Sequence, residues 1–169
     1  MPKVIRTYVR VVNRINWYVG RATMFLFFVM LGVLLYSSIS KGLRMPAIWT
    51  LEVAQFLMVA YFLLGGAYSL QLDAHVRMDL LYSRWKPRTR AVMDVFTGLF
   101  LLFYLGMLLY GGFSSTLYAL EYDETSYSTW SPHMAPIKII MTIGVALMLL
   151  QTIAIFFTDI AAARGETLE

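Results

Sequence analysis

The sequence predicts an all-α integral membrane protein of four transmembrane helices, with an amphipathic surface helix at its N-terminus and a short surface helix in a central cytoplasmic connector. Two observations carry the prediction. Four windows, at 19–40, 48–72, 91–120 and 137–157, are nearly free of charge, and a helix needs about 20 apolar residues to cross roughly 30 Å of hydrocarbon. Charged residues make up 14% of the chain, well below the roughly 25% of a soluble domain. Almost no sequence remains for a second unit, so a single membrane domain over 1–169 is expected.

Residues 1–21 read as a lead-in. Lys3, Arg6, Arg10, Arg14, Trp17 and Arg21 follow one another at spacings of 3, 4, 4, 3 and 4, which places them on one helical stripe. Val4, Ile5, Tyr8, Val12 and Ile15 lie largely away from it. Such a helix suits the membrane surface, with Arg6, Arg10, Arg14 and Arg21 near anionic headgroups. A basic tail that merely obeys the topology rule is the plainer alternative. Trp17 and Tyr18 suit an interfacial aromatic belt. The apolar run that follows exceeds the 7–15 residues of a signal-peptide core, so it is expected to stay as an anchor.

A connector with two turn signals, Gly42 and Pro46, leads to the second span. Glu52 lies one turn inside that span, and Gly65, Gly66, Ala67 and Ser69 make its far end small and packable. Residues 73–90 form the one strongly charged stretch inside the chain, with Arg77, Arg84, Lys86, Arg88 and Arg90. Leu80, Leu81 and Trp85 could face one side of a short surface helix that Pro87 would stop. The third span, at 91–120, would measure about 45 Å at about 1.5 Å per residue, so it must tilt, protrude or break. The connector 121–136 has no Lys or Arg but three acids, Glu121, Asp123 and Glu124.

Sidedness follows from counting. The N-terminal segment, central connector and tail share one side and hold eleven of the fourteen basic residues. The positive-inside rule makes that side, with both termini, cytoplasmic. The same placement of charge beside apolar segments argues against nucleic-acid binding and for contact with lipid headgroups, anionic ones in particular.

Little in the chain marks chemistry. There is no cysteine, so disulfides and thiolate metal sites are excluded. The two histidines, His75 and His133, fall on opposite sides of the membrane under this topology, so they cannot share a haem or a metal. No phosphate loop and no catalytic constellation stand out, and neither an enzyme nor a cofactor is expected. The middle of every span lacks an ionisable residue, whereas a transporter working alone would need such groups there. No direct small-molecule substrate is therefore expected. Glu52 is either a pairing group, for a partner subunit or for Lys41, Arg44 or Lys138, or a helix-start acid that touches water and favours the macrodipole. Asp73, His75, Arg77 and Asp79 form either a polar knot at the inner surface or a solvated connector.

Several short motifs, in this order and placement, resemble the small membrane (Q) subunit of tripartite ATP-independent periplasmic (TRAP) transporters. They are the Trp49–Glu52 entry, the Gly65-Gly66-Ala67-Tyr68 exit and the His75-Val-Arg-Met-Asp79 run. The Pro136…Gly144…Leu147-Met-Leu-Leu-Gln151 pattern of the last span is similar too, and the likeness covers about residues 10–158. It implies a multi-pass protein of the bacterial inner membrane. It also implies a large membrane (M) subunit that carries the substrate and sodium sites, and a periplasmic binding protein that delivers a carboxylate. The small subunit would brace the large one. Glu52, His75, Arg77 and Asp79 stand at family-like positions and are candidate subunit or lipid contacts. Asp123 and Glu124 are candidate contacts for the binding protein. Two rivals stay open: a membrane anchor or assembly subunit of another complex, such as a respiratory enzyme, and a stand-alone small exporter.

Overall fold

A computed structural model describes residues 3–45, 47–72 and 87–163. These residues form four helices: α1 (Lys3–Gly42), α2 (Thr50–Gln71), α3 (Pro87–Glu121) and α4 (Ala135–Ala163). All four are long and apolar enough to cross a membrane. Helices suit that solvent because every backbone group inside them is satisfied within the segment.

The N-terminal lead-in is not a separate surface helix. It forms about the first five turns of one unbroken 40-residue helix. The cause lies on the side away from the arginines. There Val12 and Asn16 are buried, and the Tyr8 hydroxyl donates to the Leu150 carbonyl at 3.0 Å. The Tyr8 ring also meets Phe157 edge-on. This face rests on α4, so the lead-in continues α1 as part of the bundle. The surface helix expected around Leu80, Leu81 and Trp85 lies outside the described residues.

α3 is 35 residues long and does not break at Gly111-Gly112. Pro87 stands at its first position, where a missing N–H costs no intrahelical bond. The ends of α1 and α3 are closed by similar devices. After α1, Arg44 takes a left-handed conformation (φ 59°), the Met45 N–H donates to the Ser40 carbonyl and the Arg44 N–H to the Lys41 carbonyl. That is a Schellman closure made without glycine at its left-handed position. After α3, Asp123 is left-handed (φ 47°) and the Glu124 N–H reaches the Ala119 carbonyl at 3.2 Å.

α2 lies between α1 and α4. It runs antiparallel to α1, where Gly20 sits on Tyr68 and Thr23 on Gly65. It runs parallel to α4, where Leu63 sits on Gly144 and Gly66 on Met148. Past its first turn, the buried positions of α2 are the small residues Ala54, Ala60 and Ala67. α4 touches all three other helices, whereas the extensive packing of α3 among the described residues is on α4. At that seam the Thr116 and Thr142 hydroxyls are 2.8 Å apart, and a turn-and-carbonyl network links them to Gly112 and Lys138. Such hydroxyl contacts substitute for the hydrophobic drive that lipid removes.

Gly144 tests this packing against a neighbouring backbone. A Cβ there would meet the Leu63 backbone carbon and Cβ, each at 2.9 Å. Backbone cannot swing aside, so Gly144→Ala should destabilise the protein by about 1–3 kcal/mol, read as a lower melting temperature in mild detergent. Gly106→Ala, where a methyl meets nothing within 4 Å, should leave it unchanged or slightly raise it.

Candidate subunit and membrane interfaces

Besides the Thr116–Thr142 seam, three polar places stand out among the described residues. The first is at the end that carries the N-terminus. Asn16 is 1% exposed and its Nδ2 donates to Gln151 Oε1 at 2.7 Å. Gln151 is 2% exposed and its Nε2 donates to Asn13 Oδ1 at 3.0 Å. The amides therefore form a relay that ties α1 to α4. Beside it a cavity of about 180 Å³ is lined by Asn13, Gln71, Gln151, Thr158 and Asp159. The oxygens Asn16 Oδ1 and Gln71 Oε1 are buried with no hydrogen-bond partner among the described residues.

The second place is the opposite end of the α1–α2 pair. Thr50 is buried, and its hydroxyl bridges the Ser37 hydroxyl and the Ala47 carbonyl, each at 2.9 Å. Trp49 stacks on Tyr36 beside it. Glu52 follows in the first turn of α2 and is 8% exposed, with Oε2 buried and unpartnered among the described residues. The expectation of a helix-start acid in contact with water is corrected by this burial. The helix N-terminus still favours the negative charge, but one oxygen lacks a donor. Lys138, one of the groups considered as its partner, pairs with Glu124 instead.

The third place is the 122–134 connector. It is a small hairpin, with an antiparallel bridge between Thr125 and His133. The Met134 N–H donates to the Glu124 carbonyl at 2.8 Å and the Ser126 N–H to the Pro132 carbonyl at 3.0 Å. Lys138 Nζ donates to Glu124 Oε2, which clamps the hairpin onto the first turn of α4. That pairing also offsets a cation at the positive end of a helix dipole. Asp123, Tyr122, Tyr127 and Trp130 are left exposed on the outside. Of the two acids singled out as candidate binding-protein contacts, then, Asp123 presents its charge outward and Glu124 is turned onto Lys138.

The other candidates divide between the described residues and the rest. Arg6, Arg10, Arg14 and Arg21 are all exposed along α1, and the Arg21 guanidinium lies 5.1 Å from the centroid of the Trp17 ring. His75, Arg77 and Asp79 lie outside the described residues. Asn16 was not singled out from the sequence, and Gln151 only as the end of the last-span motif, with no partner assigned. Their signal was available: Asn16 and Gln151 are uncharged polar residues at the edges of apolar runs, where an unpaired amide is costly.

Long apolar helices, polar groups confined to the bundle ends and broad exposed apolar faces define a multi-pass membrane subunit. Residues 30–162 match the family described as tripartite ATP-independent periplasmic transporters, DctQ component. That match spans well over half of the chain, which belongs to this family and is the small permease subunit of a TRAP transporter. The family implies association with a large membrane subunit and a periplasmic binding protein. A search of curated proteins found no match.

The amide relay can be measured directly. In a double-mutant cycle, Asn16→Leu and Gln151→Leu should show a coupling of about 0.6 kcal/mol, with about 1.7 as the ceiling for side-chain pairs in membrane bundles. Unfolding of each variant in mixed micelles gives the value, and strict additivity would mean that the relay does not join the helices.

Proposed function

We propose that this chain braces the large subunit of a sodium-coupled carboxylate importer of the bacterial inner membrane. The supporting observation is negative space inside the helices. Between Ala22 and Ser40, Val53 and Leu70, Val95 and Leu120, and Ile139 and Thr158, there is no Asp, Glu, Lys, Arg or His. Solute and cation binding within a bilayer require such groups or open backbone, so translocation falls to the partner. Meanwhile Phe96, Phe100, Phe103, Tyr104, Met107 and Tyr110 of α3 are exposed along its length. An apolar face of this size is suited to lipid and to another membrane protein.

In this reading both termini and the central connector are cytoplasmic, with His75, Arg77 and Asp79 as contacts for the large subunit or for lipid at that surface. Glu52 lies toward the periplasmic end, and the donor its carboxylate lacks comes from a basic group of the large subunit. The hairpin faces the periplasm, where Asp123 and the neighbouring aromatics meet the binding protein. The basic stripe of α1 lies near anionic headgroups.

The decisive experiment is gentle solubilisation of native membranes with this chain tagged. A much larger multi-span protein should co-purify in near one-to-one amount. Glu52→Gln should reduce that recovery several-fold, because it removes the charge of a desolvated pair. Recovery without such a protein, or as a stable homo-oligomer, would refute the bracing role.

Asp123 requires a variant that keeps the backbone. Asparagine tolerates the left-handed conformation that Asp123 adopts, so Asp123→Asn removes only charge. It should raise the binding-protein concentration needed for half-maximal uptake, and do so more at low salt than at high salt. Glu124→Gln should act through hairpin stability instead, and equal uptake by wild type and Asp123→Asn would remove the contact.

A further inference from the structure

We infer that the groove over the Gly65-Gly66 face of α2 holds one acyl chain of an inner-leaflet anionic phospholipid whose phosphate is held by Arg21, a reading that rests on the sidedness proposed above. The groove encloses about 490 Å³. Gly65 and Gly66 supply a floor without side chains, Met24 of α1 stands on one side and Met148 of α4 on the other, and Phe62 and Leu72 mark its ends.

An apolar lining and a cation beside it favour a lipid as the occupant. The groove follows α2 from Tyr61 to Leu72, about 16 Å at 1.5 Å per residue. An open, apolar trough of that length suits a hydrocarbon chain lying along α2. The lining is predominantly apolar, with only Thr23, Ser69 and the Tyr hydroxyls to interrupt it.

The headgroup site follows from helix register. Met24, Arg21 and Trp17 succeed one another at spacings of 3 and 4 along α1, so they lie on one stripe. The wall that Met24 gives the groove therefore continues toward Arg21 and Trp17, and the contact of Gly20 with Tyr68 sets Arg21 beside the Leu72 half of the groove. Arg21 is exposed and stacked on Trp17, which pre-orders a guanidinium that can grip two phosphate oxygens at once. Indole rings favour the same headgroup depth. Arg14, Arg10 and Arg6 extend the stripe beyond, which adds attraction for anionic over zwitterionic lipid. The basic stripe and the glycine pair, far apart in sequence, thus belong to one site.

The test uses the full chain, with its large subunit where the complex forms, in nanodiscs of mixed phosphatidylglycerol and phosphatidylethanolamine. Native mass spectrometry should find one phospholipid retained per chain, with phosphatidylglycerol enriched about fivefold, the ratio expected for about 1 kcal/mol per surface cation. Arg21→Gln should abolish that enrichment. Gly65→Leu should displace the lipid, whereas Gly65→Ala, whose Cβ would sit 3.7 Å from Thr23, should fold and keep it. A photo-reactive residue at Phe62 should capture phospholipid. Capture of the large subunit there, or unchanged enrichment in Arg21→Gln, overturns the inference. Because lipid retention can be read on the chain alone, failure of the large subunit to co-purify bears on the bracing role only.

Discussion

Close approach of α2 to its two neighbours is the constraint on which the rest of the bundle depends. In lipid the hydrophobic effect does not press helices together, so surface fit and polar contacts must do so. Here Gly20 lets α1 settle on Tyr68, and Gly144 lets α4 settle against the backbone of α2 at Leu63. Once these crossings are fixed, α1 meets α4 and the Asn16–Gln151–Asn13 relay can close. The same crossings leave Gly65 and Gly66 facing a groove. Packing and opening are thus two outcomes of one distribution of small residues.

Polarity is then sorted toward the ends. The amide relay occupies one end, and the Ser37–Thr50 contact, Glu52 and the Lys138–Glu124 clamp occupy the other. Between them the chain offers apolar surface. Such an arrangement suits a subunit whose work is shape and position. A transported ion would find few ligands in it, and a partner would find a rigid wall with charged fittings at its margins.

The number and type of helices were legible in the sequence because hydropathy alone sets them. Partnerships were not. The stripe of Arg6, Arg10, Arg14 and Arg21 is a local periodicity, and it pointed to a helix lying on the membrane. What holds that segment in the bundle is Tyr8, Val12 and Asn16 against α4, more than 130 residues away along the chain. No local period reports such a pairing. Lys138 shows the same limit: its position suggested Glu52 as one partner, but the hairpin folds Glu124 back onto it. Asp123 was read for its charge, and its left-handed backbone adds a turn-forming role that composition could not show. Glu52 was left between water and a partner, and only burial separates those cases.

The position of α4 carries a consequence for biogenesis. It follows the other three helices in the chain and, among the described residues, packs on each of them. α1 and α2 can pair as soon as both are inserted, but α3 reaches the bilayer before the surface on which it packs exists. Until α4 arrives, the Thr116 hydroxyl, Asn16 and the small-residue flank of α2 face lipid or the insertion machinery. The bundle therefore closes only once α4 is inserted, and a chain stalled before that point exposes the polar groups that membrane quality control can recognise.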